Sequence, residues 1–174
     1  MVNYISGNDA NNTLNGTSTR DRLYGYGGND TLCGYSSDDA LFGGSGNDTL
    51  VGGFGTDWLQ GGTGSSSAND VDILNGEQDN STDYYVLGNQ TSSYYTGSGY
   101  AILRNFNAAL DRIVIADDFS TARITVGIAQ RTGNTAVPDT VIRLNGDVVG
   151  VIEDASVTSL PLIRSNRVNQ AIWT

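Results

Sequence analysis

Between Gly7 and Gln60 one leucine falls every nine residues: Leu14, Leu23, Leu32, Leu41, Leu50 and Leu59. Small and polar residues surround each one. The stretch divides without a gap into GNDANNTLN, GTSTRDRLY, GYGGNDTLC, GYSSDDALF, GGSGNDTLV and GGFGTDWLQ. Glycine always holds the first place, and the sixth is Asn12, then Asp21, Asp30, Asp39, Asp48 and Asp57. Two looser units follow, GGTGSSSANDVDILN and GEQDNSTDYYV, with Leu74 and Tyr85 in the apolar slot. Nine is no multiple of the 3.6-residue helical period, so these leucines cannot line one helix face. The spacing fits a solenoid in which each unit supplies a glycine turn and a very short strand. Thr31-Leu32-Cys33 and Thr49-Leu50-Val51 are predicted strands with the central leucine pointing inward. Two units make one coil, so strands eighteen residues apart stack in parallel and two leucine ladders meet in a thin core.

From Leu87 onward the repeat stops and the pattern becomes ordinary β. Tyr100–Phe106 and Arg112–Ile115 read as strands. Thr140–Leu144 and Asp147–Ile152, joined by Asn145-Gly146, read as a hairpin. A solenoid needs its last coil covered, and this segment is placed to cover it. The chain is therefore expected to be all-β, a parallel solenoid over residues 1–86 followed by an antiparallel β cap over 87–174.

Charge follows the same division. From Gly7 to Val86 there are twelve Asp and Glu against two Arg, whereas Leu87 to Thr174 carries seven of each sign. The whole net charge of −10 thus sits on the repeats, which argues against nucleic acid or an anionic membrane as partner. The chain has neither Lys nor His, which removes imidazole bases, Schiff bases and G-K-[ST] phosphate loops and leads to the expectation that it is not an enzyme. Its one Cys, Cys33, excludes an internal disulfide, and a packing role is preferred for it over a reactive thiol. No apolar run is long enough to span a bilayer, and the start MVNYISGND lacks the features of an ordinary signal peptide. Met1, six residues before the first repeat, gives the expectation of a self-contained protein.

One leucine per nine residues cannot by itself offset the cost of ordering nine residues of backbone. Stacking also brings like-charged Asp residues together. A divalent cation between stacked turns resolves both problems by bridging carboxylates and taking up turn carbonyls. Oxygen-only donors call for a hard cation, and a flexible ring of carbonyls and carboxylates suits calcium better than magnesium.

GGSGNDTLV and GGFGTDWLQ match G-G-x-G-x-D-x-U-x, and six contiguous copies resemble the RTX (repeats-in-toxin, haemolysin-type) calcium-binding family. The resemblance covers Gly7 to about Val86 and implies a parallel β-roll with calcium held between turns two units apart. It implies ligand sets as follows. Tyr26, Gly28 and Asp30 would face Gly43, Ser45 and Asp48. On the opposite edge Tyr35, Ser37 and Asp39 would face Gly52, Phe54 and Asp57, and upstream Thr17, Thr19 and Asp21 would face Gly34, Ser36 and Asp39. Downstream, Gly44, Gly46 and Asp48 would meet Gly61 and Thr63, with Asp70 or Asp72 completing the site. Likewise Gly53, Gly55 and Asp57 would meet Gly76, with Asp79 or Asp83. The first unit departs from the pattern through Asn8, Ala10 and Asn12, and Thr17, Thr19, Tyr26, Tyr35 and Ser37 stand where glycine is expected. About four to six Ca2+ ions are expected.

DYYVLGN followed by ILRNFNAALDRIVI resembles the end of RTX modules in type I secreted proteases and lipases, which carry an uncleaved export signal at the C-terminus; Gln170–Thr174 stand where it would sit and read equally as a plain edge strand. That implies the type I secretion machinery as a partner and a secreted, extracellular protein, possible also at the cell surface, that folds on calcium binding. The alternatives are a secretion and folding module of a larger secreted hydrolase, or an adhesive, carbohydrate-binding surface protein. For the latter, outward-facing Tyr24, Phe42, Trp58 and Tyr84 would meet a glycan or mediate self-association, although contacts with the cap or simple exposure are preferred for them. Asp117 and Asp118 are read as loop residues rather than a catalytic pair.

Overall fold

A computed structural model describes residues 1–62, 69–88, 94–95, 98–115, 124–129, 138–153, 157 and 160–164. Two sheets face each other across one apolar core. The first runs through β1 (Asn3–Asn8), β3 (Asp21–Gly27), β5 (Ala40–Ser45), β7 (Trp58–Gly62), β9 (Tyr84–Val86), β11 (Arg112–Ile115) and β15 (Leu162–Arg164), in that spatial order. All of its pairings are parallel. The second holds β2 (Thr13–Asn15), β4 (Thr31–Ser36), β6 (Thr49–Phe54), β8 (Val71–Asn75), β10 (Tyr100–Arg104) and β14 (Asp147–Ile152), also parallel. It ends in antiparallel β13 (Asp139–Leu144) and β12 (Ile124–Ala129).

The nine-residue arithmetic accounts for this order. Consecutive units alternate between sheets, so each strand pairs with the one eighteen residues on: Leu23 with Leu41, Leu41 with Leu59, Leu14 with Leu32 and Leu32 with Leu50. Leu23, Leu32, Leu41, Leu50 and Leu59 are fully buried. The strands are longer than the predicted triplets because turn backbones also pair in register, as Tyr26 does with Gly44 and Tyr35 with Gly53.

Parallel stacking outlasts the repeat. Leu59 pairs with Tyr85, Tyr85 with Ile113 and Ile113 with Leu162, while Leu50, Leu74, Leu103 and Ile152 form the facing ladder. Among the described residues, the antiparallel pairing expected after residue 86 is confined to β12, β13 and β14. The physical reason is that each coil leaves an apolar row that the next can cover, whatever the length of the intervening turn. The Asn145-Gly146 hairpin is present as expected, with both turn residues at positive φ.

The two outer faces differ. Beside the buried ladder of the second sheet run Thr13, Thr31 and Thr49. The first sheet instead stacks Tyr24 on Phe42, with centroids 4.9 Å apart and planes 7° from parallel, and Trp58 on Tyr84 at 5.8 Å. Arg22 lies over the Tyr4 ring at 5.7 Å. These aromatics therefore pack on one another along the face.

Candidate metal centre

Each turn runs from a glycine at the end of one strand to an aspartate just before the next. The first glycine is sterically required: a Cβ on Gly25 would collide with Asp30 Oδ2 and the Gly43 carbonyl oxygen. The same crowding places Asp39 Oδ2 and the Gly52 carbonyl against Gly34, and Asp48 Oδ2 and the Gly61 carbonyl against Gly43. So the sixth side chain of one turn and the first carbonyl two units later converge on one spot. In turns 25–30, 34–39, 43–48 and 52–57 the second and fourth residues have positive φ: Tyr26 77°, Gly28 93°, Tyr35 76°, Ser37 84°, Gly44 120°, Gly46 115°, Gly53 104° and Gly55 127°. This backbone aims the Tyr26 and Gly28 carbonyls at Gly44 and Gly46, and those of Tyr35 and Ser37 at Gly53 and Gly55.

The aspartates form two ladders, one along each edge of the roll. On one edge the backbone N–H of Asn12 donates to Asp30 Oδ1 (2.7 Å), that of Asp30 to Asp48 (2.8 Å) and that of Asp48 to Asp72 (2.8 Å). On the other, Asp21 donates to Asp39 (2.7 Å), Asp39 to Asp57 (2.8 Å), Asp57 to Asp83 (3.0 Å) and Asp83 to Asp111 (3.0 Å). One oxygen of each carboxylate is thereby engaged. The other is orphaned at four positions: among the described residues, Asp30, Asp39, Asp48 and Asp57, none more than 2 % exposed, have an Oδ2 with no hydrogen-bond partner.

Leaving four buried carboxylate oxygens unmatched is costly. Burial first, and neighbouring carboxylates after it, push Asp39 and Asp48 up to about 7 and Asp57 to about 9, against the ordinary 3.8. A hard divalent cation suits this donor set, since it favours carboxylate and carbonyl oxygen. Among the described residues no cage of three or more Asp, Glu, His or Cys side chains forms. That is expected of a site in which each turn lends one carboxylate and backbone carbonyls make up the rest.

The structure brings the expected residues together in several of the sets. Asp30 meets Gly43, Asp39 meets Gly52, and Asp48 meets Gly61, with the carbonyls of Tyr26, Gly28, Tyr35 and Ser37 facing the next turn. Phe54 pairs with Ser36 and Ser45 with Gly27 across the turns. Thr63 lies outside the described residues, as do Asp117, Asp118 and Gln170–Thr174. Of each pair left open in the irregular units, the register sets one member into the ladder. Asp72 and Asp83 continue the ladders, whereas Asp70 and Asp79 accept the N–H groups of Gly46 (3.0 Å) and Gly55 (2.9 Å). Thr17, Thr19 and Asp21 are together, but both Asp21 oxygens are already engaged, by Asn3 Nδ2 (2.6 Å) and by the Thr17 N–H (2.6 Å). The sequence reading missed Asp111, the last rung. Its signal is Asp111-Arg112-Ile113, in register with Asp83-Tyr84-Tyr85.

With this geometry in place, the comparisons are specific. A family model of the RTX calcium-binding nonapeptide repeat, comprising four copies, matches residues 6–41 and 34–68. The coils and the strands after them also resemble the solution structure of the AlgE6R3 subunit from the Azotobacter vinelandii mannuronan C5-epimerase. The TM-score is 0.53 at 20 % identity, over 95 % of this chain and 83 % of that one, which establishes a shared β-roll fold. No curated protein matches the sequence.

Proposed function

We propose that this chain is a secreted calcium-binding protein whose RTX roll folds when calcium enters between stacked turns. Tyr26, Gly28, Tyr35, Ser37, Gly44, Gly46, Gly53 and Gly55 would supply carbonyls from the earlier turn of each site. Gly43, Ser45, Gly52, Phe54 and Gly61 would supply them from the later turn. The observation that carries this reading is the set of orphaned, buried oxygens on Asp30, Asp39, Asp48 and Asp57. Calcium supplies the positive charge they lack and clamps coils whose apolar core is thin. At low cytosolic calcium the acidic repeats repel and the chain stays expanded, a form suited to type I export. Outside, millimolar calcium neutralises the ladders, and residues 87–174 serve as cap and export segment.

Circular dichroism during a calcium titration at neutral pH tests this. The β signal should be weak with chelator and rise cooperatively towards millimolar calcium. A chain fully β-structured in chelator and unchanged by calcium would refute the reading.

The likeness to one subunit of an epimerase favours a second reading, in which the roll is the folding module of a larger secreted enzyme. In either setting the aromatic face of the first sheet gives a surface for glycan contact. Loss of glycan binding in Trp58→Ala with calcium binding intact would assign that role, and unchanged glycan binding would remove it.

A further inference from the structure

The carboxylates of the two ladders are not equivalent, and the difference lies in what reaches each Oδ2. At Asp21 the Thr17 N–H (2.6 Å) and hydroxyl (3.0 Å) donate to Oδ2, and Asn3 Nδ2 donates to Oδ1 (2.6 Å). At Asp72 the buried Tyr95 hydroxyl donates to Oδ2 at 2.7 Å. At Asp111 the Asn107 N–H donates to Oδ2 at 2.7 Å. At turn 76–83 the Tyr85 hydroxyl accepts the Gly76 N–H (3.1 Å), donates to the Arg104 carbonyl (2.9 Å), and crowds Gly76 together with Asp83 Oδ2. Asp30, Asp39, Asp48 and Asp57, between these ends, have no such donor.

Backbone geometry divides the turns in the same way. Among the described residues, the four turns with an orphaned oxygen are those with positive φ at both the second and fourth residues. Thr17 and Asn107, the second residues of closed turns, are not among the positive-φ residues, and each turns its N–H onto its own aspartate instead. A turn thus has two states available: left-handed and open to a cation, or folded onto its own carboxylate.

We propose that the chain closes its own ion columns, with Thr17 and Asn3 at one end and the Tyr95 hydroxyl at the other standing where a cation would otherwise act, so that calcium is confined to the four open turns of Asp30, Asp39, Asp48 and Asp57. This rests on the calcium reading above and narrows it. A hydroxyl donor satisfies a buried carboxylate without an added ion, and Tyr95 brings it from a residue 23 positions after Asp72 in a core already packed with Leu74 and Leu103. The last coils are thereby held by hydrogen bonds that do not depend on calcium.

The test is ion stoichiometry on the full chain, by native mass spectrometry and calorimetry with calcium alone, with circular dichroism to verify folding. The wild type should bind four ions. Asp57→Asn should bind fewer, whereas Asp21→Asn should still bind four once folded. Tyr95→Phe takes the hydroxyl away from Asp72 and should admit a fifth ion. Five or six tightly bound ions in the wild type, or an ion lost in Asp21→Asn, would overturn the assignment. So would a count of four in folded Tyr95→Phe. Absence of any bound ion would instead overturn the calcium reading itself, so the two failures are distinct.

Discussion

Tyr26, Tyr35 and Ser37 hold left-handed backbone angles that cost an L residue about 1–2 kcal/mol each. Such strain persists where surrounding structure over-determines it, and here it belongs to turns that present carbonyls to an orphaned carboxylate. Asp48 lies between Asp30 and Asp72 on its ladder, as Asp57 lies between Asp39 and Asp83 on the other. Asp48→Ala should weaken calcium binding by at least about tenfold, whereas Asn12→Ala, in a first turn closed by the Asn8 N–H at 2.7 Å, should change it little; calorimetry on both variants decides. Protons compete for the same oxygens. With Asp39 and Asp48 at about 7 and Asp57 at about 9 in the ion-free roll, the folded chain holds more protons than the unfolded one. Ion-free stability is therefore fullest below about pH 4 and is lost as pH rises through 7 to 9. The expanded chain on which calcium acts already carries ionised carboxylates above about pH 5, so the calcium midpoint of folding, followed by circular dichroism, should stay nearly level from pH 8 to 6 and rise only as pH approaches 4. A midpoint that climbs steeply between pH 8 and 6 would contradict this.

At the scale of the strand, one fully buried leucine serves each unit from Leu23 to Leu74, with Leu50 packed between Leu32 and Leu74. Leu50→Ala should cost about 2–5 kcal/mol, measured by urea unfolding at saturating calcium. Cys33→Ser, at an outward position in the same row as Val51, should cost much less. Burial raises the Cys33 thiol, in keeping with a packing residue. These elements were legible from sequence because the turn chemistry repeats: glycine where a carboxylate crowds the backbone, leucine where the strand faces in. Beyond Val86 that punctuation fades. Asp111-Arg112-Ile113 keeps only three positions of it, so the continuing coils read as a generic cap. The hydroxyl of Tyr95 on Asp72 was invisible for a different reason, since it joins residues that no local pattern links.

For the molecule as a whole, cohesion is arranged along one axis. Each coil is bonded chiefly to the coils above and below, and acidic charge is concentrated in the same segment as the orphaned oxygens. The nine-residue period therefore dictates architecture and ion chemistry together. The sequence expectation of oxygen-only turns followed directly from that period. Which rungs need an ion did not, because it depends on backbone angles at the second and fourth turn residues rather than on the aspartates themselves.

The register of eighteen residues also has a mechanical side. A pull on the first strand would not shear the whole sheet at once but would peel it, since among the described strands β1 has β3 as its one sheet neighbour and β2 has β4. Each detached coil would release eighteen residues, about 60 Å of extended chain at roughly 3.3–3.6 Å per residue. The resistance would be lowest at the self-closed first turns and would step upward where the first cation rivets one loop of chain to the next. The roll is thus a ratcheted spool, paid out in near-equal lengths under tension and rewound by calcium.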